Sequence, residues 1–135
     1  MALPMNPNVL VDVYRTANVA NPYALGLAIH TNALGYLEPA VSEGRHGTAL
    51  YLKWTHVLYL PPEIDIRDAY NSQYDPARNH AIADTVIVRD TNFVARKTAY
   101  YVVFVELVSR QPRANKHLKV YLDRFQPLTW PTNSI

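Results

Sequence analysis

The feature that most constrains the fold of this chain is a long alternating stretch, Thr48–Leu60 (TALYLKWTHVLYL), which two prolines follow. Read with a period of two residues, it places four leucines, Trp54 and His56 on one face, and tyrosines, a lysine and β-branched residues on the other. Alternation sustained over this length by aromatic, β-branched and aliphatic residues predicts a long β-strand. Pro61 and Pro62 end the strand, because a proline nitrogen has no hydrogen to donate to a sheet.

The segment from residue 61 to residue 83 separates this strand from the next one. Its only aliphatic anchors before Ile82 are Ile64 and Ile66, and the rest is mainly polar. Such a composition buries too little apolar surface to offset the conformational entropy lost on ordering. Loops longer than about 15 residues are usually functional or mobile. The sequence therefore predicts a long, solvated loop whose carboxylates meet a basic partner; these carboxylates are Glu63, Asp65 and Asp68.

The remaining apolar patterns predict five further strands. They lie at Val9–Arg15, Ala24–Leu37, Asp84–Asp90, Thr98–Arg110 and His117–Arg124. A short helix from Pro22 competes with the second strand, but Gly26 and Gly35 favour the strand. Residues 38–47 are rich in turn formers and are predicted as a loop. Six strands without a long helix predict an all-β single domain over residues 1–135, a small β-barrel or sandwich.

Three of these strands carry expectations about their surroundings. The first strand is expected to have one face in solvent. The fifth is apolar on both faces except for Glu106 and is expected to be central in the sheet. The sixth alternates cleanly with Lys119 outward, which is typical of an edge or half-exposed strand.

The two ends of the chain lie outside this strand pattern. Residues 1–8 form an N-terminal extension. Residues 125–135 contain two prolines and no periodicity, yet Phe125, Leu128 and Trp130 are too apolar for a free tail. We expect an extended C-terminal arm that lies on the body of the protein or on a neighbouring subunit.

The composition excludes several classes of protein. Hydrophobic residues make up 49% of the 135 residues and charged residues 18%, which is too apolar for a disordered chain. The absence of cysteine excludes disulfides, thiolate metal sites and a cysteine nucleophile. The N-terminus lacks the basic and apolar regions of a signal peptide, and no stretch approaches the roughly 20 apolar residues that span a bilayer. The sequence thus predicts a soluble, cytoplasmic protein.

The net charge of +2 conceals an asymmetry between the two parts of the chain. Residues 1–88 contain five Lys and Arg against eight Asp and Glu, whereas residues 89–135 contain eight against three. An acidic and a basic part are typical of faces that meet in an oligomer, of a patch that binds nucleic acid, or simply of solvated surfaces. The charge pattern alone leaves these three interpretations open.

No pattern of catalytic residues stands out. The five histidines have no spacing typical of metal ligands, and His56 is expected to be a hydrogen-bonded core histidine. The serines lie in no nucleophile-elbow sequence, and four glycines provide no phosphate-binding loop. The acidic cluster after the long strand lacks a histidine partner or a calcium-loop pattern. We therefore predict a protein that is not an enzyme and that has no metal ion or cofactor.

The ten tyrosines leave two interpretations open. With Lys119 and Arg124, the tyrosines on strands would form an aromatic and basic platform for single-stranded nucleic acid, as on an OB-fold. Tyrosine is also favoured in cores and at protein interfaces. Adjacent tyrosines on one strand, Tyr100 and Tyr101, point to opposite faces, which argues against a single platform. An OB-like nucleic-acid-binding module remains the alternative prediction.

Six short motifs follow one another between Val9 and Arg124. In chain order they are V-x-V-Y-R, W-T-H-V-L-Y-L, D-I-R-D, D-T-V-I-V-R-D, Y-Y-V-V-F-V-E and H-L-K-V-Y-L. Their order resembles the head-closure, or stopper, proteins of tailed bacteriophages. This chain departs from the family in its long loop before Asp84 and in having Ala69 where the family has a glycine.

The resemblance implies a small β-barrel that forms a ring of six or twelve copies in the neck of the virion, after assembly in the host cytoplasm. The ring would lie between the portal–adaptor complex and the tail terminator or tail, around the packaged double-stranded DNA. The long loop would face the channel or a neighbouring ring, and the C-terminal arm would clasp an adjacent subunit. The residues expected to act in the loop are Glu63, Asp65, Arg67, Asp68, Tyr70, Tyr74 and Arg78, and those in the arm are Phe125, Leu128 and Trp130.

Overall fold

The computed structural model describes residues 6–15, 26–46, 50–68, 83–92, 96–109 and 116–125, with side chains except at 41–46, 50–53 and 125. Every regular element in these ranges is a β-strand. The six strands are β1 Val9–Arg15, β2 Leu27–His46, β3 Leu50–Leu60, β4 Thr85–Asp90, β5 Lys97–Val108 and β6 His117–Phe125. The predicted strand content is confirmed, and the helix considered from Pro22 does not extend into β2.

The six strands form a closed antiparallel barrel in the order β1-β2-β3-β6-β5-β4. The fold is therefore a barrel rather than a sandwich. β5 pairs with both β4 and β6, as expected for a central strand. The prediction of an edge position for β6 is wrong, because β6 pairs with both β3 and β5. Lys119 thus does not guard an edge but lies on the outside of the wall, above the ring of Tyr121.

The barrel interior is filled by alternate side chains of all six strands, as the period of two requires. The buried cluster includes Val11, Val13, Leu58, Leu60, Val86, Val102, Val120 and Leu122. Gly35 permits a close approach of strands in this core. A Cβ atom added to Gly35 would lie 3.0 Å from Cδ1 of Leu58 and 3.2 Å from the backbone oxygen of Tyr59.

The largest difference from the sequence prediction is the length of β2. Residues 38–46, predicted as a loop, continue the strand and pair with β3 as far as His46 and Leu50. The turn-forming residues are tolerated because the pairing shifts register between Pro39 and Ser42, and a bulge or an open edge accepts proline. The pairing of β3 with β6 begins only at His56. Residues 40–46 and 50–55 therefore form a two-stranded ribbon, hereafter the β2–β3 ribbon, which extends roughly 20 Å beyond the barrel wall.

The outward side of β1 is buried, so the prediction of a solvent-exposed face for this strand is wrong. Asp12 is 1% exposed and Tyr14 3% exposed. Tyr14 belongs to a second apolar cluster with Ile87 of β4 and Ala99 of β5. The sequence pattern V-D-V-Y has the alternation of a half-exposed strand. A single sequence does not indicate which residues bury the polar side of that strand.

A polar triad joins three neighbouring strands at the position of the buried Asp12. The carboxylate Oδ1 accepts hydrogen bonds from Nη2 of Arg89 and from the backbone N–H of Asn32, both at 2.9 Å. Nη2 of Arg89 also donates to Oδ1 of Asn32. Asn32 has a φ of 57° and lies where the pairing of β1 with β2 shifts register. The triad thus supplies partners for backbone and charge at an irregularity of the barrel wall.

Candidate functional site

The first eight residues of the predicted loop lie against the barrel. After Leu60, a turn brings the N–H of Ile64 to the carbonyl of Pro61 at 3.3 Å. Ile64 and Ile66 are 8% and 5% exposed and belong to the main core cluster. Residues 61–68 are therefore ordered by the two aliphatic anchors, and the prediction of a solvated loop is wrong for this part. Residues 69–82 lie outside the described residues.

The two ends of the long segment are fastened to each other. The backbone N–H of Arg67 donates to Oδ2 of Asp84, and the backbone N–H of Asp84 donates to the carbonyl of Arg67, both at 2.9 Å. The Asp84 residue is fully buried. The described chain on the two sides of residues 69–82 therefore meets at one point of the barrel. We call this pair the loop clamp.

A guanidinium group neutralises the loop clamp. Arg15, the last residue of β1, donates to both carboxylate oxygens of Asp84, at 3.0 Å from Nε and 2.8 Å from Nη2. The same guanidinium donates to both oxygens of Asp65 at 3.2 Å, and Nε of Arg67 reaches Oδ1 of Asp65 at 3.1 Å. A bidentate pair of this kind fixes geometry as well as charge. Arg15 therefore links the end of β1 to both ends of the loop.

The carboxyl group of Asp65 is set to stay ionised. The hydrogen bonds from Arg15 are the main cause that lowers the pKa of Asp65, with a further contribution from Arg67, against the opposing effect of partial burial. The hydrogen bond to Asp84 is the main cause that raises the pKa of Arg15. Asp65 has a side chain that is 55% exposed, whereas that of Asp84 is fully buried. Asp84 is therefore the structural partner of Arg15, and Asp65 its solvent-facing partner.

The loop base also completes the edge of β5. The pairing of β4 with β5 ends at Thr85 and Tyr101. Beyond that point, the N–H of Val102 donates to the carbonyl of Asp84 at 3.0 Å, and the N–H of Val105 donates to Oδ2 of Asp68 at 2.7 Å. Since β5 is bulged between Val102 and Phe104, these donors would otherwise lack a strand partner.

The structure thus divides the residues predicted for the loop. Asp68 is 1% exposed and satisfies a backbone donor, so the prediction that it faces a partner is wrong. Asp65 and Arg67 lie together at the loop base, and Glu63 is exposed beside them. Tyr70, Tyr74 and Arg78 lie outside the described residues, as do Leu128, Trp130 and the side chain of Phe125. Sequence analysis missed Arg15 and Asp84, because nothing in their local sequence indicates that they meet.

The outer wall carries an aromatic surface across β2, β3, β5 and β6. Tyr121 lies at its centre, with ring centroids 4.8 Å from Trp54 and 5.9 Å from Phe104. Tyr59 contacts the rings of Tyr36 and His117. The hydroxyl groups donate to carboxylates, from Tyr59 to Glu38 at 3.2 Å and from Tyr121 to Glu106 at 3.1 Å. Among the described side chains, Glu38 and Glu106 lie on this surface with the cation Lys119, and the two carboxylates make it a poor match for a phosphate backbone.

His56 lies at the inner side of this wall. Its Nδ1 shares a hydrogen bond of 3.0 Å with the hydroxyl of Thr55, and its ring packs edge-on against Tyr100 at 5.1 Å. Burial lowers the pKa of His56, and the charge of Arg124 lowers it further. The prediction of a hydrogen-bonded histidine is confirmed, although the side chain is half-buried rather than enclosed.

One open cavity of about 370 Å³ lies at an end of the barrel. Its lining includes Leu37, Tyr100 and the ion pair of Arg96 with Asp90 at 3.4 Å. Within the described ranges no group of three or more His, Asp or Glu residues is placed to hold a metal ion. Among the described residues that line the cavity, Asp90 is the one carboxylate and there is no histidine.

Comparison of the chain with protein-family models, curated proteins and solved structures gives no significant match. The resemblance to head-closure proteins therefore stays a prediction from the sequence motifs. In the part of the chain that the structure describes, no helix is long and apolar enough to cross a membrane.

Proposed function

We propose that this chain is a structural protein of the neck of a tailed bacteriophage, a head-closure subunit that forms a ring between the portal–adaptor complex and the tail. The observation that carries the proposal is the loop clamp. Arg67 and Asp84 hold both ends of a long segment at one point of a closed barrel. A closed barrel provides a rigid frame, and a segment whose two ends are held together at one point of that frame is suited to reach a channel or a neighbouring ring.

The charge distribution supports stacking between rings. Residues 1–88 carry a net negative charge and residues 89–135 a net positive charge, so one chain has two segments of opposite charge. Rings that stack head to tail bring unlike faces together, and complementary charge favours that contact over the reversed one. The packaged double-stranded DNA would pass through the ring.

The proposal assigns no catalysis and no cofactor to the protein. At the loop base, the carboxylates of Asp65 and Asp84 are bound to guanidinium groups and that of Asp68 to a backbone N–H. Carboxylates held in this way stabilise the fold. Glu63, Tyr70, Tyr74 and Arg78 are the loop residues proposed to meet the DNA or a partner ring. Phe125, Leu128 and Trp130 are proposed to contact the adjacent subunit.

The alternative, an OB-like module for single-stranded nucleic acid, has less support. Tyr100 is 3% exposed within the core and is not available for base stacking. Tyr59 and Tyr121 are on the outer wall, but each hydroxyl is bound to a glutamate. A single-strand site needs stacked aromatic rings beside basic groups that follow the backbone.

The test is the mass of the protein in solution, alone and with a purified portal–adaptor complex. A ring, or a single chain that assembles into a ring only on that complex, supports the proposal. A single chain that ignores the complex and binds a labelled single strand in a salt-dependent way would overturn it in favour of the alternative.

Two loop variants then separate gating from docking. In the first, a short Gly-Ser linker replaces residues 69–82, which the loop clamp permits because Arg67 and Asp84 are already in hydrogen-bond contact. In the second, Tyr70, Tyr74 and Arg78 are changed to serine and the length is kept. If the loop acts by its length, only the first variant releases packaged DNA. If the loop docks a partner through these side chains, both variants fail to bind that partner.

A further inference from the structure

The barrel leaves one strand edge open at the start of β2. Residues 27–34 pair with β1 on one side, whereas the pairing of β2 with β3 begins at Tyr36. No described strand pairs with the other edge of residues 27–34. Beside this edge lies an open cavity of about 290 Å³, lined by residues 28–31. We call residues 27–34 the open edge.

The composition of the open edge is unusual for a strand exposed to water. Its sequence, LAIHTNAL, contains no Lys, Arg, Asp, Glu or Pro. Leu27 is 81% exposed, Leu34 51% and Ile29 36%. Natural proteins protect open edges with charges, prolines or very short strands, since an open edge pairs readily with another chain. The bulge at Asn32 is the one protective feature present.

The β2–β3 ribbon has the opposite character at the other end of the same strand. The sequence of its β2 side includes Glu43 and Arg45, and charged residues are typical of strand edges that are protected from further pairing. Its β3 side, residues 50–55 (LYLKWT), has only Lys53 as a charge and is rich in residues that favour strands. This side has no described strand partner before His56.

We propose that the open edge of one copy is completed by the β3 side of the β2–β3 ribbon of a second copy. The inference builds on the proposed ring and rests on it for the choice of a second copy as the occupant. Strand addition to an open edge supplies main-chain hydrogen bonds, and exposed alternate side chains supply specificity. Leu27 and Ile29 would then be covered by the neighbour.

The geometry of β2 makes this contact head to tail. The strand has 20 residues and spans roughly 60 Å when straight. It carries the open edge at its beginning and the ribbon at its end. Each copy therefore receives a strand at one end and offers one at the other. A contact between two different surfaces repeats around an axis, and it gives a closed ring when the rotation closes.

The first experiment places a charge on the open edge. Leu27→Lys and Ile29→Lys put an ammonium group beside the side chains of the neighbouring strand, and lysine on an edge strand opposes pairing. Leu107→Lys, on β5, changes a leucine of 59% exposure and is the matched control. In light scattering at the highest soluble concentration, the unmodified chain and the control should assemble, and the two edge variants should fall to the mass of one chain. An unmodified chain that stays single, or equal masses for all four proteins, overturns the inference.

The second experiment identifies the contacting strands and uses the absence of natural cysteines. The double variant Ile29→Cys with Lys53→Cys should give a ladder of dimers, trimers and larger species with a bis-maleimide, whose reach tolerates a shift in register. Each single-cysteine variant should remain uncross-linked. Dimers from Ile29→Cys alone mean that two open edges pair with each other, which overturns the assignment of the ribbon.

The outcomes separate this inference from the function on which it rests. If rings form but the ladder is absent and the edge variants keep their mass, the ring stands and the strand exchange is wrong. If the ladder forms but the assembly does not bind a portal–adaptor complex, the strand exchange stands and the neck function is wrong.

Discussion

Arg67 and Asp84, 17 positions apart, form a reciprocal pair in which each backbone N–H is bound by the other residue at 2.9 Å. Asp84 accepts hydrogen bonds through two groups. Its carboxylate accepts from Arg67 and Arg15, and its backbone carbonyl accepts from Val102 of β5. The residue therefore couples the loop ends, β1 and β5. Its loss should affect the whole barrel rather than the loop alone.

Asp84→Asn tests this coupling. The substitution keeps the shape of the side chain but leaves the guanidinium of Arg15 without its buried counter-charge, so we expect the free energy of unfolding to fall by about 2–4 kcal/mol. Asp65→Asn, which removes the solvent-facing partner of the same Arg15, should cost less than about 1 kcal/mol. Urea denaturation of the two variants checks this. Equal losses would contradict the division between a structural and a solvent-facing carboxylate.

Asn32 provides a test of backbone strain at the bulge. Its φ of 57° lies in the left-handed region. Alanine adopts this region at an energetic cost, whereas glycine adopts it without that cost. Asn32→Ala and Asn32→Gly both lose the hydrogen bond from Arg89, so their difference isolates the backbone. We expect Asn32→Ala to be less stable than Asn32→Gly by about 1 kcal/mol in thermal or urea unfolding. An alanine variant as stable as the glycine variant would show that the bulge relaxes.

His56 makes stability depend on pH. Burial, and then the charge of Arg124, lowers its pKa in the folded state below the ordinary value of about 6.5. The unfolded chain then binds more protons, so this contribution to stability is complete above pH of about 6.5 and is lost as the pH falls through the lowered folded pKa. An NMR titration of the His56 ring measures that value directly.

Two substitutions separate the causes of this shift. Arg124→Gln should raise the pKa of His56, because it removes the nearby positive charge. Lys116→Gln removes an exposed cation that is not among the causes of the shift and should leave it unchanged. A pKa of His56 that responds to neither substitution would assign the shift to burial alone.

The sequence predicted the strands well because each follows an uninterrupted alternation of side chains. Val9–Arg15 agrees with the prediction at both ends, and the end of β3 at Leu60 follows from Pro61. The prediction from the sequence was wrong for residues 38–46, where Pro39 and Gly44 indicate a turn but the strand continues. The pairing with β3 overrides those local preferences, and the irregularity between Pro39 and Ser42 accommodates the proline.

The candidate site was harder to predict than the fold. The segment after Leu60 is identified by its length and polarity, and its anchors Ile64 and Ile66 by their apolarity. The partners of its carboxylates are not identifiable, since Arg15 precedes Asp65 by 50 positions and Asp84 by 69. Such long-range ion pairs depend on which strands become neighbours in the closed barrel, and a single sequence does not contain that information.

Gly35→Ala tests the packing of the barrel interior. The new methyl group would lie 3.0 and 3.1 Å from the side chains of Leu58 and Leu60, and 3.2 Å from the backbone oxygen of Tyr59. The leucine methyl groups can rotate away, but the carbonyl belongs to a paired strand and cannot move without disturbing the β2–β3 pairing. We therefore expect a loss of about 1–3 kcal/mol in the free energy of unfolding. Ala33→Gly, two residues earlier on β2 at a buried position, is the control for strand propensity and should cost about 1 kcal/mol. A Gly35→Ala protein as stable as the parent would mean that the wall of the barrel yields at this point.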